Sequence, residues 1–321
     1  MKNTPVEWSI IDKINFRVHR ENPNAIVPLG DDAFVFKNFP GYSVICQDML
    51  VENVHFNLDY FSAEDLGYKA LAVNLSDIAA MGARPHFAQV SLALPKGLTE
   101  SWLDDFYASM SQLADEFDCQ IVGGDLSSSP SGIVIDVSVH GSCDTPLTRR
   151  GTQPGDLLLS SGPLGLSHSG LMAFKNNFSG YEAAKKRHLR PRPRLDLREE
   201  LGQKNTLMHA LLDCSDGLVN DGLRLCSNSM GLHIFADSVP LHDETNQLAL
   251  QLGMSPIDLA LWGGEDFELL MSVDPNHFEQ FKNWSLVGQF TGDTGVYLIS
   301  SDQKTEISDF KGWQHFDPIS F

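Results

Sequence analysis

The chain has few basic residues for its size. Its 321 residues include 23 Lys and Arg against 42 Asp and Glu, which gives a formal net charge of −19 at pH 7. Nucleic acids and anionic membrane surfaces are bound by clustered Lys and Arg, so this balance argues against both kinds of partner. A small phosphorylated ligand is compatible with it, because metal ions can lie between carboxylates and phosphates.

Long apolar runs and paired cysteines are also missing. The apolar runs extend over only a few residues, and charged or polar residues interrupt the segment from Met1 to Ile14. The sequence therefore predicts neither a membrane-spanning helix nor a signal peptide. The five cysteines form no CxxC motif and their number is odd, which is typical of reduced thiols. We expect a soluble protein of the cytoplasm.

The common nucleotide-binding and catalytic signatures are absent. There is no GxxxxGK[ST] loop, no GxGxxG between a strand and a helix, and no protein-kinase motif set. We also find no Ser-His-Asp or Cys-His arrangement for nucleophilic catalysis. If the protein binds phosphates, metal ions must supply much of the positive charge.

The order of helix and strand patterns predicts two α/β modules in tandem. The length suggests about two domains, at roughly 100–200 residues per domain, and we place their boundary in the turn-rich stretch after Thr145. The predicted domains are residues 1–147 and 148–321. Within them the sequence predicts a hairpin over Phe34–Cys46 and a helix capped by Ser62 that runs to about Ala80. A short strand is predicted to end at Gly123-Gly124-Asp125. Helices are also predicted after Thr99, where apolar residues recur at helical spacing, and over Pro275–Trp284.

Aspartates recur at the predicted ends of strands. One alone is most simply a helix cap or a turn residue. Together they are harder to explain that way, because converging carboxylates repel one another unless cations lie between them. Hard oxygen ligands favour Mg²⁺, which often completes its shell with phosphate oxygens. The aspartates near predicted strand ends are Asp32, Asp48, Asp125, Asp213 and Asp216. Asp77, which lies on the helix capped by Ser62, is counted with them.

Several motifs resemble those of the thiamine-monophosphate kinase family, in the family's order and over nearly the whole chain. The more specific ones are the run from Asn74 to Ala83 and the run from Gly263 to Glu268. The other matching segments are Gly30–Ala33, Asp48 with His55-Phe56, Gly123–Asp125, Leu147–Arg149, Pro154–Asp156 and Asp213–Leu218.

This resemblance implies a fold and a reaction. The fold is the two-domain aminoimidazole-ribonucleotide synthetase-like α/β (α+β) fold. Residues 1–147 would form an ATP- and Mg²⁺-binding domain whose mixed sheet makes a barrel in a homodimer, and residues 148–321 an α/β domain completing the cleft. The implied reaction transfers a phosphoryl group from ATP to thiamine monophosphate. Such an acceptor is already anionic and needs no general base, so no catalytic side chain is expected.

The resemblance also implies which residues form the site. The positions that match Mg²⁺ ligands are Asp32, Cys46, Gln47, Asp48, Asp77, Asp125, Asp213 and Asp216. The positions that match ATP contacts are Gly124, Asp125, Arg149 and Ser215. The positions that match contacts to the thiamine substrate are His55, Glu265 and Trp313. Cys46 and Gln47 depart from the family's usual Ser-Thr, so backbone carbonyls or the Gln47 side-chain oxygen would have to replace the hydroxyl ligands there. Leu126 stands where Thr is common, and either change would alter the number of bound metal ions or the geometry of the site.

Simpler interpretations stay open for some of these residues. Arg149 fits a solvated loop, Trp313 an anchor for the C-terminal segment, and His55 a structural histidine. Cys214 is predicted to be a buried strand residue. The basic run over residues 185–194 fits either a solvated surface or a device that attracts phosphates.

Two other functions also remain open. One is a different ATP-dependent synthetase or ligase of the same superfamily. The other is a non-catalytic protein that binds thiamine phosphates.

Overall fold

The computed structural model describes residues 6–27, 33–227, 229–301, 303–308 and 311–312. The chain divides into two compact units, Met1–Pro146 and Leu147–Phe321. Two predicted site residues, Asp32 and Trp313, lie outside the described residues. In the described part of the chain, no helix is long and apolar enough to cross a membrane.

The first unit consists of helices packed on one face of a mixed sheet. Its helices are α1 (Val6–Val18), α2 (Ala63–Ala80) and α3 (Glu100–Glu116). Its strands are β1 (Ala25–Val27), β2 (Val35–Phe36), β3 (Tyr42–Val51), β4 (Arg84–Leu94), β5 (Gln120–Ser128) and β6 (Val134–Cys143). The main sheet has the order β3-β6-β4-β5, in which only the β4–β5 pair is parallel.

Helix α2 forms where its local signals predict it. Ser62 accepts a hydrogen bond from the Asp65 backbone N–H, and the Asp65 carboxylate accepts one from the Ser62 backbone N–H, which makes a complete capping box. The helix packs against β3 and β6 and also against α3. Nearly all of its residues are buried, including the polar Asn74. Its apolar side chains meet those of the sheet, such as Ile78 and Val137, in the core of this unit.

Two strand predictions in this unit were wrong. Phe34–Cys46 does not form a hairpin, because β2 pairs with β1 while β3 pairs along its whole length with β6. Strand β5 does not end at Gly123, because its parallel pairing with β4 continues to Ser128. Gly124 makes this possible: a Cβ there would lie 1.8 Å from the carbonyl oxygen of Val90, so only glycine fits beside β4.

The second unit contains a larger sheet with helices. Its strands are β7 (Leu157–Ser160), β8 (Met208–Asp213), β9 (Gly231–Phe235), β10 (Leu269–Val273), β11 (Ser285–Thr291), β12 (Gly295–Ser300) and β13 (Gln303–Glu306). Its helices are α4 (Leu166–Lys175), α5 (Glu182–Leu189), α6 (Arg198–Gln203), α7 (Leu218–Leu225), α8 (Asp243–Leu252) and α9 (Pro256–Trp262). Short 3-10 segments lie at 195–197, 205–207, 236–238 and 275–281.

The strand order of this sheet is β13-β12-β9-β11-β7-β10-β8, and β9 and β12 run parallel while the other pairs are antiparallel. Buried residues of β8, β9, β10 and α7 share one apolar core. Helices α5, α6 and α9 and strand β13 of this unit had no sequence prediction. The segment Pro275–Phe281 is a 3-10 helix where an α-helix was predicted.

Candidate functional site

Strand β3 carries three of the predicted metal positions on alternating sides. Cys46 and Asp48 share the side of the half-buried and buried residues, whereas Gln47 shares the exposed side with Ile45 and Met49. Asp48 therefore does not follow the end of a strand, as predicted, but lies inside one. Its position in the sheet is fixed by pairing with Val137 of β6.

Asp136 of β6 joins these residues, although sequence reasoning did not single it out. Gln47 Nε2 donates to both carboxylate oxygens of Asp136 at 2.9 Å. Burial raises the pKa of the Asp48 carboxyl, and the negative charge of Asp136 raises it further. Asp136 is directly opposite Met49 and Asp48 directly opposite Val137, so the two carboxylates lie on opposite sides of the sheet.

Asp77 of α2 belongs to the same neighbourhood. Burial raises the pKa of the Cys46 thiol well above its ordinary value, and the charges of Asp77 and then Asp48 add to the effect. The protonated thiol lies 3.3 Å from the carbonyl oxygen of Asn74, to which it donates. The structure thus brings Cys46, Asp48 and Asp77 together on the side of the sheet that faces α2, whereas Gln47 and Asp136 contact each other on its other side.

Asp125 lies on β5, across the sheet from this group. It pairs with Ser91 of β4, and Ser91 pairs in turn with Asp136 of β6. Residues directly opposite one another share a face, so Asp125 and Asp136 face the same, exposed side of the sheet. Asp125 was expected at a strand end but occupies a strand interior.

His55 lies in the turn that follows β3. Its Nδ1 accepts a hydrogen bond of 3.0 Å from the backbone N–H of Val51, which fixes the ring against the end of the strand. This contact matches the structural interpretation of His55.

In the second unit, two predicted motifs pack directly against each other. The loop over Asp213–Gly217 follows β8, and the loop over Gly263–Glu268 precedes β10, the neighbour of β8. The backbone N–H of Glu265 donates to the carbonyl oxygen of Ser215 at 2.8 Å, and that of Phe267 to Cys214 at 2.9 Å.

The approach of these loops requires a glycine and buries a cysteine. A Cβ at Gly264 would lie 2.2 Å from the Ser215 carbonyl oxygen. Cys214 is fully buried, as predicted, but it follows β8 instead of lying within it, and burial keeps the pKa of its thiol high.

Asp221, in the first turn of α7, holds the Asp213–Gly217 loop in place through a hydrogen bond. Asp221 is fully buried and accepts a hydrogen bond of 2.7 Å from the backbone N–H of Asp216. Burial raises the pKa of Asp221 to about 7. Arg224 forms ion pairs with both, at 2.6 Å to Asp216 and 3.3 Å to Asp221. Asp216 is therefore neutralised by an arginine that sequence reasoning did not assign.

Glu265 is held at the centre of its loop. One of its carboxylate oxygens lies 3.4 Å from Nδ1 of the buried His188. The next residue, Asp266, is 1% exposed and accepts hydrogen bonds from the backbone N–H groups of Gly165 and Ser167, at the start of α4. Burial raises the pKa of Asp266 to about 7.

Arg149 is exposed near the start of the second unit. The carbonyl oxygen of its neighbour Thr148 accepts a hydrogen bond from the backbone N–H of Leu211, so the segment lies beside β8. An exposed arginine at this position agrees with a solvated loop residue and leaves its guanidinium accessible to an anion.

The residues in each unit fit a hard divalent cation such as Mg²⁺. The side chains that approach one another carry carboxylate and amide oxygens, and Mg²⁺ prefers such ligands. In the described residues, no group of three or more His, Cys, Asp or Glu side chains is arranged to hold a metal ion. Mg²⁺ is commonly bound through one or two carboxylates, with water and substrate phosphates completing its shell.

Sequence reasoning missed the residues that orient the site. They have no local motif, and for all but Asp221 and Arg224 long stretches of chain separate them from their partners. They are Asp136, His188, Arg187, Arg194, Asp221 and Arg224. The basic run was expected to be solvated or to attract phosphates, but Arg187 and Arg194 form ion pairs with Glu268.

Comparison with known proteins places both units in one family. Residues 30–143 match the family described as AIR synthase related protein, N-terminal domain, and residues 153–301 match its C-terminal domain. The chain is thus an AIR synthase-related protein of two domains. It is also 33% identical over 312 residues to thiamine-monophosphate kinase of Rhodopirellula baltica, covering 92% of this chain and 93% of the relative. The chain belongs to the thiamine-monophosphate kinase family.

Solved structures agree with this assignment. Thiamine-monophosphate kinase from Stenotrophomonas maltophilia K279a matches with a TM-score of 0.80 at 30% identity, covering 91% of this chain and 96% of that one. AaThiL complexed with AMPPCP and TMP matches with a TM-score of 0.77 at 31% identity, covering 97% of both chains. The hydrogenase maturation protein HypE shares the fold, with a TM-score of 0.77 at 19% identity. The family and the two-domain α/β fold predicted from the motifs are confirmed.

Proposed function

We propose that this protein phosphorylates thiamine monophosphate to thiamine diphosphate at the expense of ATP. The observation that carries the proposal is similarity to thiamine-monophosphate kinases along nearly the whole chain. AaThiL, whose structure holds AMPPCP and TMP, matches 97% of this chain. The identity of only 19% with HypE favours this reaction over that of another superfamily member.

Mg²⁺ would be held by the aspartates of both units. In the first unit the proposed ligands lie at two places: Asp48 and Asp77, with Cys46, on the side of the sheet that faces α2, and Gln47 and Asp125 on its exposed side. Asp32 is proposed as a further ligand from the resemblance alone. In the second unit they would be Asp213 and Asp216. Bound Mg²⁺ neutralises the charge of the two phosphorylated substrates and thereby favours their approach.

The side chains contribute orientation rather than proton transfer. The acceptor is a phosphate oxygen that is already anionic near neutral pH, so no general base is needed. Gly124, Asp125, Arg149 and Ser215 would contact ATP. The exposed guanidinium of Arg149 has the planar geometry that suits a phosphate. Holding the donor and acceptor phosphates in line lowers the entropic cost of the transfer.

The thiamine moiety would be recognised by His55, Glu265 and Trp313. Glu265 offers a negative charge to the positively charged ring of thiamine, and a tryptophan can stack on such a ring. The ring of His55 is already oriented by its bond with Val51 N–H. The backbone of Glu265 has a left-handed conformation (φ 66°), which makes the chain turn sharply at this residue.

We also propose that the protein is a homodimer joined along β3, an edge strand of the first sheet, through the exposed side that carries Ile45 and Met49. Ile45 and Met49 on β3 are 64% and 52% exposed, although they lie in the interior of a strand. Apolar residues at such positions are typical of an interface. The site of action would be the cytoplasm, where ATP and Mg²⁺ are available and the five free cysteines stay reduced.

One assay tests the function directly. The full chain is incubated with Mg²⁺, ATP and thiamine monophosphate, and the products are separated to measure thiamine diphosphate and ADP. We expect both products in equal amounts and none without Mg²⁺. Tight binding of ATP and thiamine monophosphate without product would instead support a non-catalytic binding protein, an alternative that the replacement of Ser-Thr by Cys46-Gln47 keeps open.

A further inference from the structure

The loop that carries Glu265 has a strained backbone. Glu265 (φ 66°) and Phe267 (φ 53°) both lie in the left-handed region, which residues with a side chain rarely adopt. Two such residues around Asp266 persist only if the surroundings hold them in place. The contacts of this loop therefore decide where the Glu265 carboxylate lies.

A buried ionic cluster fixes the C-terminal end of the loop. Glu268 is 2% exposed, and its two oxygens are both occupied. One accepts a bond of 2.9 Å from Arg187, and the other accepts bonds from Arg194 and, at 2.6 Å, from Ser161. A buried carboxylate is stable only when it is paired and hydrogen-bonded in this manner. Removing one arginine would leave the charge of Glu268 partly uncompensated.

Arg187 also forms a hydrogen bond with the backbone of the loop that carries Glu265. The same nitrogen, Nη1, that contacts Glu268 donates to the backbone carbonyl of Asp266 at 3.0 Å. Asp266 is the residue between the two left-handed positions, so this bond acts where the strain is concentrated. The guanidinium is largely buried, with 20% of the side chain exposed, which limits competition from water.

The residue after Arg187 reaches Glu265 directly. Nδ1 of His188 lies 3.4 Å from a Glu265 carboxylate oxygen and 3.4 Å from the hydroxyl of Ser167. Adjacent residues of α5 thus contact two successive residues of the loop, one through its backbone and one through its side chain. Neither arginine nor histidine belongs to a motif that the reaction itself requires.

We propose that Arg187 and His188 of α5 are positioning residues that set the affinity for the thiamine substrate. They hold the Gly263–Phe267 loop so that the Glu265 carboxylate faces the positively charged ring of thiamine monophosphate. This inference rests on the proposed function, because the role of Glu265 does. It assigns to α5, whose basic sequence suggests a solvated helix, a part in substrate selection.

The test compares substrate constants for single and double variants. We expect Arg187→Met to raise KM for thiamine monophosphate about tenfold, with KM for ATP changed less than about twofold. Glu265→Gln should show the same pattern. The double variant with Arg187→Met and Glu265→Gln should have a KM for thiamine monophosphate no higher than that of the poorer single variant. Both changes would weaken the same contact, that of the Glu265 carboxylate with the thiamine ring, so their effects should not add. Since one nitrogen makes both bonds of Arg187, Arg187→Lys should recover most of the affinity.

Lys186→Met is the matched control, because it removes one positive charge from the exposed side of the same helix. His188→Leu is the second variant, which leaves the Glu268 cluster intact and should raise KM for thiamine monophosphate alone. Melting temperatures identify variants that fail to fold. Equal effects on both substrates, or additive effects in the double variant, would overturn the positioning role while leaving the proposed function intact. If the unaltered chain forms no thiamine diphosphate, the proposed function itself fails.

Discussion

Arg224 is the counterion of Asp216, with 2.6 Å between Nη2 and a carboxylate oxygen. The pair joins a proposed metal ligand to a side chain that is 42% exposed. An arginine and a Mg²⁺ ion bound to the same carboxylate oxygen weaken each other's interaction, because both are positively charged. We therefore expect Arg224 to compete with Mg²⁺ for Asp216. When the ion binds, the guanidinium should keep only its ion pair with Asp221, its second partner.

Replacing Arg224 by Gln should strengthen Mg²⁺ binding. Partly exposed ion pairs are weak, so we expect a dissociation constant about two to five times lower. Titration calorimetry with Mg²⁺ alone measures it without reference to catalysis. Lys282→Gln, which removes an exposed ion pair with Glu279, controls for net charge. Weaker or unchanged binding in the Arg224 variant would show that the arginine does not compete for this carboxylate.

Asp77→Asn should abolish turnover without unfolding the chain. The side chain lies near Cys46 on the sheet-facing part of α2, and the amide keeps its size while removing its charge. We expect kcat to fall by about 100-fold or more. Circular dichroism and steady-state kinetics are the measurements. Asp105→Asn, on the exposed side of α3, is the control. Near-normal activity would mean that Asp77 is not a metal ligand.

Cys46→Ser should lower the Mg²⁺ concentration needed for half-maximal activity. The thiol of Cys46 has a raised pKa, is protonated and donates to Asn74, so it is a poor ligand for a hard cation. A hydroxyl supplies oxygen at the same place. Activity is measured across a Mg²⁺ series, with Cys143→Ser, on β6 of the same sheet, as the control. An unchanged requirement would mean that this side chain does not approach the ion.

Asp266 should make the protein less stable as pH rises. Burial raises its pKa to about 7 from 3.8, so between these values the folded chain holds a proton that the unfolded chain has lost. The free energy of unfolding must therefore decrease as pH increases through this window. From about pH 5.5 to 8 the loss is about 2 kcal/mol.

Urea unfolding at several pH values measures this effect. Asp266→Asn should reduce the pH dependence by about half, because Asp221 also has a pKa raised to about 7 and keeps its own contribution. Its stability should be lower at every pH, because the amide replaces one of the two acceptor oxygens. The exposed Asp243→Asn is the matched control. The same slope in all three proteins would contradict the assignment to Asp266.

Ile45→Glu should convert the proposed dimer into a monomer. Ile45 is exposed on the face of β3 that carries Met49, and a charge placed in an apolar interface has no partner. Light scattering after size-exclusion chromatography gives the mass. Leu250→Glu, at an 83% exposed position on α8, introduces the same charge elsewhere and should leave the mass unchanged. A dimer that survives the Ile45 change would mean that another surface joins the subunits.

Sequence patterns predicted the elements whose signals are local. Helix α2 was predicted because Ser62 and Asp65 form its capping box, and α3 because Thr99 caps it and its apolar residues recur with helical spacing. Strand β5 was predicted too short. Its continuation depends on pairing with β4, and no feature of the Gly123-Gly124-Asp125 segment alone reveals a partner strand.

The same distinction applies to the candidate site. The aspartates were found because they occur in recognisable motifs. The groups that orient them were not, since Arg187 and Glu268 are separated by 81 positions and Gln47 and Asp136 by 89. Composition also failed to reveal which basic residues are buried. The basic run around Arg187 has the composition of a surface segment, yet the Arg187 guanidinium pairs with the carboxylate of the buried Glu268.

The hydrogen bond between Glu265 N–H and Ser215 O, with the close approach of Gly264, prevents either loop from shifting alone. One loop bears Asp216 and the other Glu265. If Mg²⁺ binds at Asp216 and thiamine monophosphate at Glu265, as proposed, we expect their binding to be coupled through these loops, and such coupling is reciprocal. Whatever factor Mg²⁺ contributes to the affinity for thiamine monophosphate, thiamine monophosphate must contribute to the affinity for Mg²⁺.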